Sequence, residues 1–334
     1  MTRRVITSID VARHAGVSQS AVSRAFSTTA SISPAMRERV FKAAEELNYK
    51  PNRIPAIMLT GRSGMIGVIV GGLGNPLYGY ALEKLSAGIR AAGFQVLLVQ
   101  VIDDVTLDAA LDQLASYRVD ALITALAIGT EETVQAISAL NIPVICFNSA
   151  LTGPGISSVQ SSNTKSGHHA ATLMHSLKVR HPIWLAGPVQ NAASRAREAG
   201  FMQGCAEHAL EVTRIQGADD YQSGFDAMSA ALAQGHHPDG VFASNDLMGC
   251  GALDAIRQHT DLRCPEDVVV IGYDNIPQAA WQAYQLSSFD QRPDALVTAA
   301  LDILARSFST PDERLSERHE IEAELVLRRS TGRV

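Results

Sequence analysis

Apolar positions along the chain follow two rhythms. Over the first fifty residues they recur every three or four positions: Val11, Ala12 and Ala15, then Val22, then Val40, Ala43, Ala44 and Leu47. That spacing predicts three short amphipathic helices. After residue 65 the apolar residues gather into short runs, at 65–70, 94–101, 121–125, 143–147, 182–185, 212–216, 240–243 and 268–271. Helical stretches such as 79–92, 107–117, 131–140, 167–177 and 247–257 lie between them. Apolar strands spaced by amphipathic helices predict parallel sheets covered on both faces. Over about 260 residues, two such sheets are expected rather than one.

The helical head carries chemistry on its outer face. Thr7 stands where the first helix needs a cap. Gly16 permits a tight turn, having no Cβ to oppose positive φ. Ser18 is placed to cap the second helix. Val22 faces inward, which leaves Gln19, Ser20, Ser23 and Arg24 outside, with Ser20 and Arg24 one turn apart. Arg makes paired bonds to guanine, Gln makes them to adenine, and short hydroxyls reach bases or phosphates. The pattern predicts a helix-turn-helix that reads a major groove; an ordinary helical hairpin with a polar face is the plainer reading. A polar loop at 27–31 follows, and Ser33-Pro34 opens the third helix with a cap and a proline at the first helical position. So small a core is expected to draw order from DNA or a partner.

Residues 49–59 are too apolar for a plain linker and too short for a stable isolated helix. A hinge that becomes helical when docked fits both features. Met58 is then an exposed knob able to wedge between base steps of a minor groove, or it packs on a neighbouring domain.

Charge separates head from body. Residues 1–63 hold ten Lys or Arg and four acids, a net +6, so with −6 overall the remainder carries −12. A basic head on an acidic body implies that the head meets a polyanion. Hydrophobic content of 46% and charged content of 19% fit a globular protein. No apolar run reaches the roughly 18 residues of a membrane span. Arg3 and Arg4 are followed by no apolar segment, so a secretory signal is not expected. Cys146, Cys205, Cys250 and Cys264 lack metal-site spacing and read as buried thiols. A cytoplasmic protein with no membrane partner and no cofactor is the expectation. The pairs His168-His169 and His236-His237 diverge on a helix and do not form a metal site. No nucleophile elbow, metalloprotease or phosphate-loop pattern occurs, which argues against an enzyme.

Ligands of parallel sheets bind at the carboxyl ends of strands. Polar groups fall there at Asn75-Pro76-Leu77-Tyr78, Phe147-Asn148, Ser162-Asn163, Gly187, Asn245-Asp246 and Tyr273-Asp274-Asn275. Such a set suits a small polar or polyhydroxylated ligand.

These residues together resemble the lactose/purine-repressor (LacI/GalR) family over nearly the whole chain. The resemblance is carried by Asp10 to Ser18 with Ala21-Val22-Ser23-Arg24, by Leu47 to Asn52, and by Ile66-Gly67-Val68-Ile69. It continues through Leu185-Ala186-Gly187-Pro188, Arg197 to Phe201, Ser244-Asn245-Asp246, Val270 to Asn275 and Leu327 to Ser330. It implies a dimeric repressor whose core is like a type-I periplasmic binding protein, the chain crossing between two lobes. It implies a helix-turn-helix domain at 1–50, a hinge at 51–63 and an effector-binding core at 64–334. One lobe would span about 64–161 with 290–322, the other 162–289 with 323–334.

By the same resemblance, Gln19, Ser20 and Arg24 read bases, while Thr7, Ser18, Ser23 and Asn52 contact or support the backbone. Met58 matches the minor-groove wedge. Pro55 departs from the usual Ala and fits only in the first turn of a hinge helix. Tyr78, Arg197, Asn245 and Asp274 match effector contacts; Phe147, Ser162, Asn163 and Gln291 are weaker candidates from the same strand ends. Asp219 stands where the family often has a stacking aromatic, which points to a more polar or cation-bearing effector. Arg197 and Asp274 have an alternative reading as an ion pair between lobes. No leucine heptads follow Arg328-Arg329-Ser330, so a dimer on a pseudo-palindromic double-stranded operator is expected. Two other classes stay open: a solute-binding protein without a DNA role, and an enzyme on a doubly wound fold.

Overall fold

The computed structural model describes residues 6–26, 30–50, 62–101, 104–125, 131–310 and 313–332. Contacts divide the chain into two units, Met1–Arg62 and Ser63–Val334.

The first unit holds α1 (Ser8–Ala15), α2 (Gln19–Phe26) and α3 (Pro34–Glu46). Thr7 caps α1 in a reciprocal box: its Oγ1 accepts from Asp10 N–H at 3.4 Å, and Asp10 Oδ2 accepts from Thr7 N–H at 3.0 Å. Gly16 ends α1 with φ 63°. Ser33 caps α3, its Oγ accepting from Met36 N–H at 3.3 Å, with Pro34 in the first turn. Val11, Ala12, Ala15, Val22, Ala25, Val40, Ala43 and Ala44 close one small apolar cluster. Phe26 packs beside it, its ring 5.1 Å from Phe41 and 5.9 Å from Tyr49.

The second unit opens with β1 (Met65–Val70), α4 (Pro76–Ala91), β2 (Gln95–Gln100), α5 (Asp104–Ser116), β3 (Ala121–Ala125), α6 (Glu131–Ala139), β4 (Val144–Phe147) and β5 (Ile156–Ser161). It continues with α7 (Asn163–Ser176), β6 (Pro182–Ala186), α8 (Ala192–Glu207), β7 (Thr213–Gln216), α9 (Tyr221–Ala233), β8 (Gly240–Ala243), α10 (Asp246–His259), β9 (Val269–Asp274) and β10 (Ser287–Asp290). Then come α11 (Pro293–Ser309), β11 (Arg318–Ile321) and β12 (Glu324–Val326).

Two sheets result, as the strand-and-helix rhythm predicts. The first has the order β11-β5-β4-β3-β1-β2 and the second β12-β10-β9-β8-β6-β7. Every described pairing is parallel except β10 with β12. The chain crosses between sheets after β5, after β10 and between β11 and β12. Period-two strands bury both faces. In β1, Ile66, Val68 and Val70 enter one apolar cluster and Ile69 enters another on the opposite face. The second sheet is covered likewise, with Ile183 and Leu185 on one face and Trp184 and Ala186 on the other.

Four strands escape the apolar pattern. β5 (ISSVQS) and β10 (SSFD) are rich in serine, yet β5 is buried throughout and β10 nearly so. β11 and β12 are short edge strands with no fully buried residue. Cys146, Cys205 and Cys250 are buried free thiols, and burial pushes the Cys146 thiol up to about 12. Among the described residues no helix is long and apolar enough to cross a membrane, and no group of three His, Cys, Asp or Glu is placed to hold a metal.

Candidate functional site

The head presents one polar face. In α2, Ala21, Val22 and Ala25 are buried, so Gln19, Ser20, Ser23 and Arg24 are exposed together. Ser18 precedes the helix, and its Oγ accepts from Ala21 N–H at 3.2 Å. Its hydroxyl also lies 2.9 Å from Ser20 Oγ, and Gln19 Nε2 donates to Ser8 Oγ of α1 at 3.0 Å. These bonds hold the Gln19 and Ser20 side chains in defined positions. Asn52 and Met58, with Pro55, lie outside the described residues.

The second site forms where the carboxyl ends of strands from both sheets meet. Asn75 caps α4, its Oδ1 accepting from Leu77 N–H at 3.0 Å. Capping leaves its Nδ2 to donate to Asp274 Oδ2 at 2.6 Å. That bond joins the lobe of the first sheet to the lobe of the second. Asp274 ends β9 and is 5% exposed. Its other oxygen accepts from Gln291 Nε2 at 2.5 Å, at the second crossing of the chain. Tyr78 lies one residue beyond Leu77 in α4, and Asn148 Nδ2 donates to its hydroxyl at 3.4 Å.

Arg197 enters from α8 and is 4% exposed. Its Nη1 donates to Asn163 Oδ1 at 3.0 Å, and its guanidinium stacks 4.2 Å from the centre of the Tyr273 ring. The Tyr273 hydroxyl reaches across the lobes to Ser161 Oγ at 2.7 Å. Arg197 and Asp274 both belong to elements of the second lobe, so an ion pair between lobes is not what this fold builds.

Three buried polar atoms around this cluster have no hydrogen-bond partner among the described residues: Arg197 Nε, Gln291 Oε1 and Asn148 Oδ1. Leaving such a group unpaired costs about 1–3 kcal/mol, so they mark where a polar ligand gains most. Burial, the largest cause, lifts the Asp274 carboxyl to about 6, against the opposing pull of Arg197 and of the Asn75 and Gln291 bonds. Burial and then the charge of Asp274 push the Tyr78 phenol up to about 12. At neutral pH the site therefore offers an ionised acceptor and a neutral hydroxyl.

The other expected contacts sit differently. Phe147 packs inside the apolar cluster of the first lobe and turns no surface to the cleft. Its neighbour Asn148, in the turn just past the end of β4 at φ 54°, makes the cleft contact instead. Asp219, at φ 67°, is knitted into the second lobe. Its Oδ2 accepts from Asn191 Nδ2 at 2.7 Å and its Oδ1 from Ser244 Oγ at 3.2 Å. Only glycine fits opposite it, since a Cβ on Gly187 would stand 2.3 Å from Asp219 Oδ1. Asn245 is engaged twice over: its Oδ1 caps α10 by accepting from Met248 N–H at 2.9 Å, and its Nδ2 donates to the Asp219 carbonyl at 2.8 Å. Asp219 and Asn245 thus shape the wall. Asn75 and Asn148 were visible in the sequence as strand-end amides, but nothing local singled them out.

Both units of the chain resemble known proteins. Residues 8–52 match the family of bacterial regulatory proteins, lacI family, and residues 175–331 match the periplasmic binding protein-like domain. The chain is 27% identical over 331 residues to the HTH-type transcriptional repressor PurR of Haemophilus influenzae (strain PittEE), covering 96% of this chain and 97% of that protein. It is 27% identical over 308 residues to the ribose operon repressor of Escherichia coli (strain K12), covering 90% and 93%. Among solved structures, the lac repressor dimer bound to operator and the anti-inducer ONPF superposes with a TM-score of 0.87 at 25% identity, over 98% of this chain and 99% of that one. The transcriptional regulator CelR–cellobiose complex gives 0.73 at 26% identity, over 97% and 99%. These relatives are regulators of transcription and not enzymes. With a lacI-type head, a periplasmic-binding-protein-like core and whole-length relatives of the same build, the chain belongs to the lacI family of bacterial regulatory proteins.

Proposed function

We propose that this chain is a cytoplasmic transcription repressor that binds a pseudo-palindromic operator as a homodimer and answers to a small polar ligand, a sugar or related metabolite. Residues 1–50 read the operator, 51–63 form the hinge with Asn52 and Met58 at the DNA, and 64–334 sense the ligand. The observation that carries the reading is the Asn75–Asp274 bond between lobes, set among buried unpartnered polar atoms. A ligand hydroxyl that donates to Asp274 competes with Asn75 for the same oxygen. Tyr78, Asn148, Asn163, Arg197 and Gln291 complete its surroundings, while Asp219 and Asn245 support the wall. Ligand thereby shifts the balance between two lobe arrangements, and the shift is felt at the hinge in proportion to its differential affinity. The solved relatives bound to operator, to an anti-inducer and to cellobiose support this coupling of two sites.

The test is selection of genomic DNA fragments by the purified chain at several salt concentrations, with and without D-ribose or cellobiose. Recovery of one pseudo-palindrome, with affinity falling steeply as salt rises, is expected. Retention that ignores sequence under every condition would overturn the repressor reading.

A further inference from the structure

Asp274 and Asn275, neither of them glycine, stand side by side in left-handed backbone, with φ 113° and 54°. Such conformations are strained for residues with a Cβ and persist only where the surroundings over-determine them. Here the next two backbone amides run to a single carboxylate. Ile276 N–H donates to Asp246 Oδ2 at 2.8 Å. Asn275 N–H donates to Ser288 Oγ at 3.0 Å, and the Ser288 hydroxyl donates to Asp246 Oδ1 at 2.6 Å. Asp246 is 0% exposed. The adjacent strand makes room for it, since a Cβ on Gly272 would stand 2.1 Å from its Oδ1.

Asp246 is not needed as a helix cap, because Asn245 caps α10. Burying a carboxylate is expensive, and burial together with the charge of Asp274 drives its pKa well upward. A neutral side chain would avoid that cost but would lack two acceptor oxygens aimed at the turn. We infer that Asp246 is a positioning residue: by holding the amides of Asn275 and Ile276, directly and through Ser288, it fixes the Asp274 carboxylate where the effector binds. The inference rests on the cleft being the effector site.

The test needs no ligand. Amide hydrogen exchange is resolved at residues 270–276 of the full chain, and the Asp274 carboxyl is titrated through its side-chain ¹³C shift. In Asp246→Ala, exchange at Asn275 and Ile276 is expected to rise about 100-fold while Val270 and Ile271 change by less than about threefold. The Asp274 midpoint should then leave its position near 6 and move toward the ordinary value of about 3.9. Ser288→Ala should free Asn275 alone, which keeps the idea testable if Asp246→Ala fails to fold. Asp246→Asn, which retains a carbonyl oxygen for Ile276, should keep that amide within about tenfold of the parent. Exchange that rises equally along β9, or an Asp274 midpoint indifferent to these variants, would overturn the inference. Neither outcome depends on operator binding, so failure of the repressor reading is seen separately.

Discussion

The head and the cleft place their chemistry in opposite ways. In the head, the candidate chemistry lies on the surface: one apolar cluster is buried and Gln19, Ser20, Ser23 and Arg24 stand outside it on a single helix. In the cleft, the candidate chemistry is buried: Asp274, Arg197, Asn163 and Gln291 lie inside, and bonds such as Asn75–Asp274 and Arg197–Asn163 join distant parts of the chain. The exposed face keeps its charges hydrated and pays little for them. The cleft removes them from water, so each must be paired, shifted in pKa or left waiting for a ligand. A surface reader suits a polyanion met in water. A buried set suits a small molecule that replaces the missing hydrogen bonds.

The contrast is broken most severely from the head. Val40 is fully buried in its one small cluster. Val40→Asp should cost more than about 3 kcal/mol, enough to unfold so small a unit. Calorimetry should then show the core transition unchanged while operator binding is lost; a core that melts with the head would refute the separation.

Next in size is the pH response of the cleft. The Asp274 pKa is raised in the folded state, to about 6, so the folded chain holds this proton more tightly than the unfolded one. The resulting stability is fully present below pH about 3.9 and is lost as pH rises through about 6, on the order of 2–3 kcal/mol. Urea midpoints of the core measured from pH 4 to 7 should fall relative to those of Asp274→Asn, and parallel curves would contradict the burial argument.

Arg24→Ala should weaken operator binding by about 1–3 kcal/mol and relax preference at one base position. Equal weakening on every sequence would make Arg24 a phosphate contact. The smallest effect is at the helix cap, where Thr7→Ala should lower head stability by about 1 kcal/mol. A head as stable as the parent would show that Asp10 sustains the first turn alone.

How much could be read in advance follows the same division. The three head helices, their caps at Thr7, Ser18 and Ser33 and the turn at Gly16 depend on residues within four positions of one another. Eight core strands were legible as apolar runs. β5 and β10 were not, because buried serines interrupt their apolar runs: Ser161 meets Tyr273, Ser287 meets the Arg328 carbonyl and Ser288 meets Asp246, while Ser158 Oγ has no partner among the described residues. Helix α8 was equally faint, since its buried positions include Ser194, Arg197, Gly200 and Gly204. Resemblance pointed to Tyr78, Arg197 and Asp274. It did not show which amides serve them, and it put Phe147 where Asn148 makes the contact.

The sequence by itself determined the three head helices, eight of the core strands and their alternation with helices, the polarity of the head and the charge difference between head and body. Each of these arises from neighbours along the chain, through helical or strand periodicity and simple charge counting. Only the tertiary structure decided the cleft. Asn75 and Asp274 are 199 positions apart and meet at 2.6 Å because two sheets exchange strands. Asp246 comes to hold the turn after Asp274 because β8 lies beside β9, so that α10 begins beneath it. No local pattern encodes such meetings; the strand order creates them, and burial then gives them their energy.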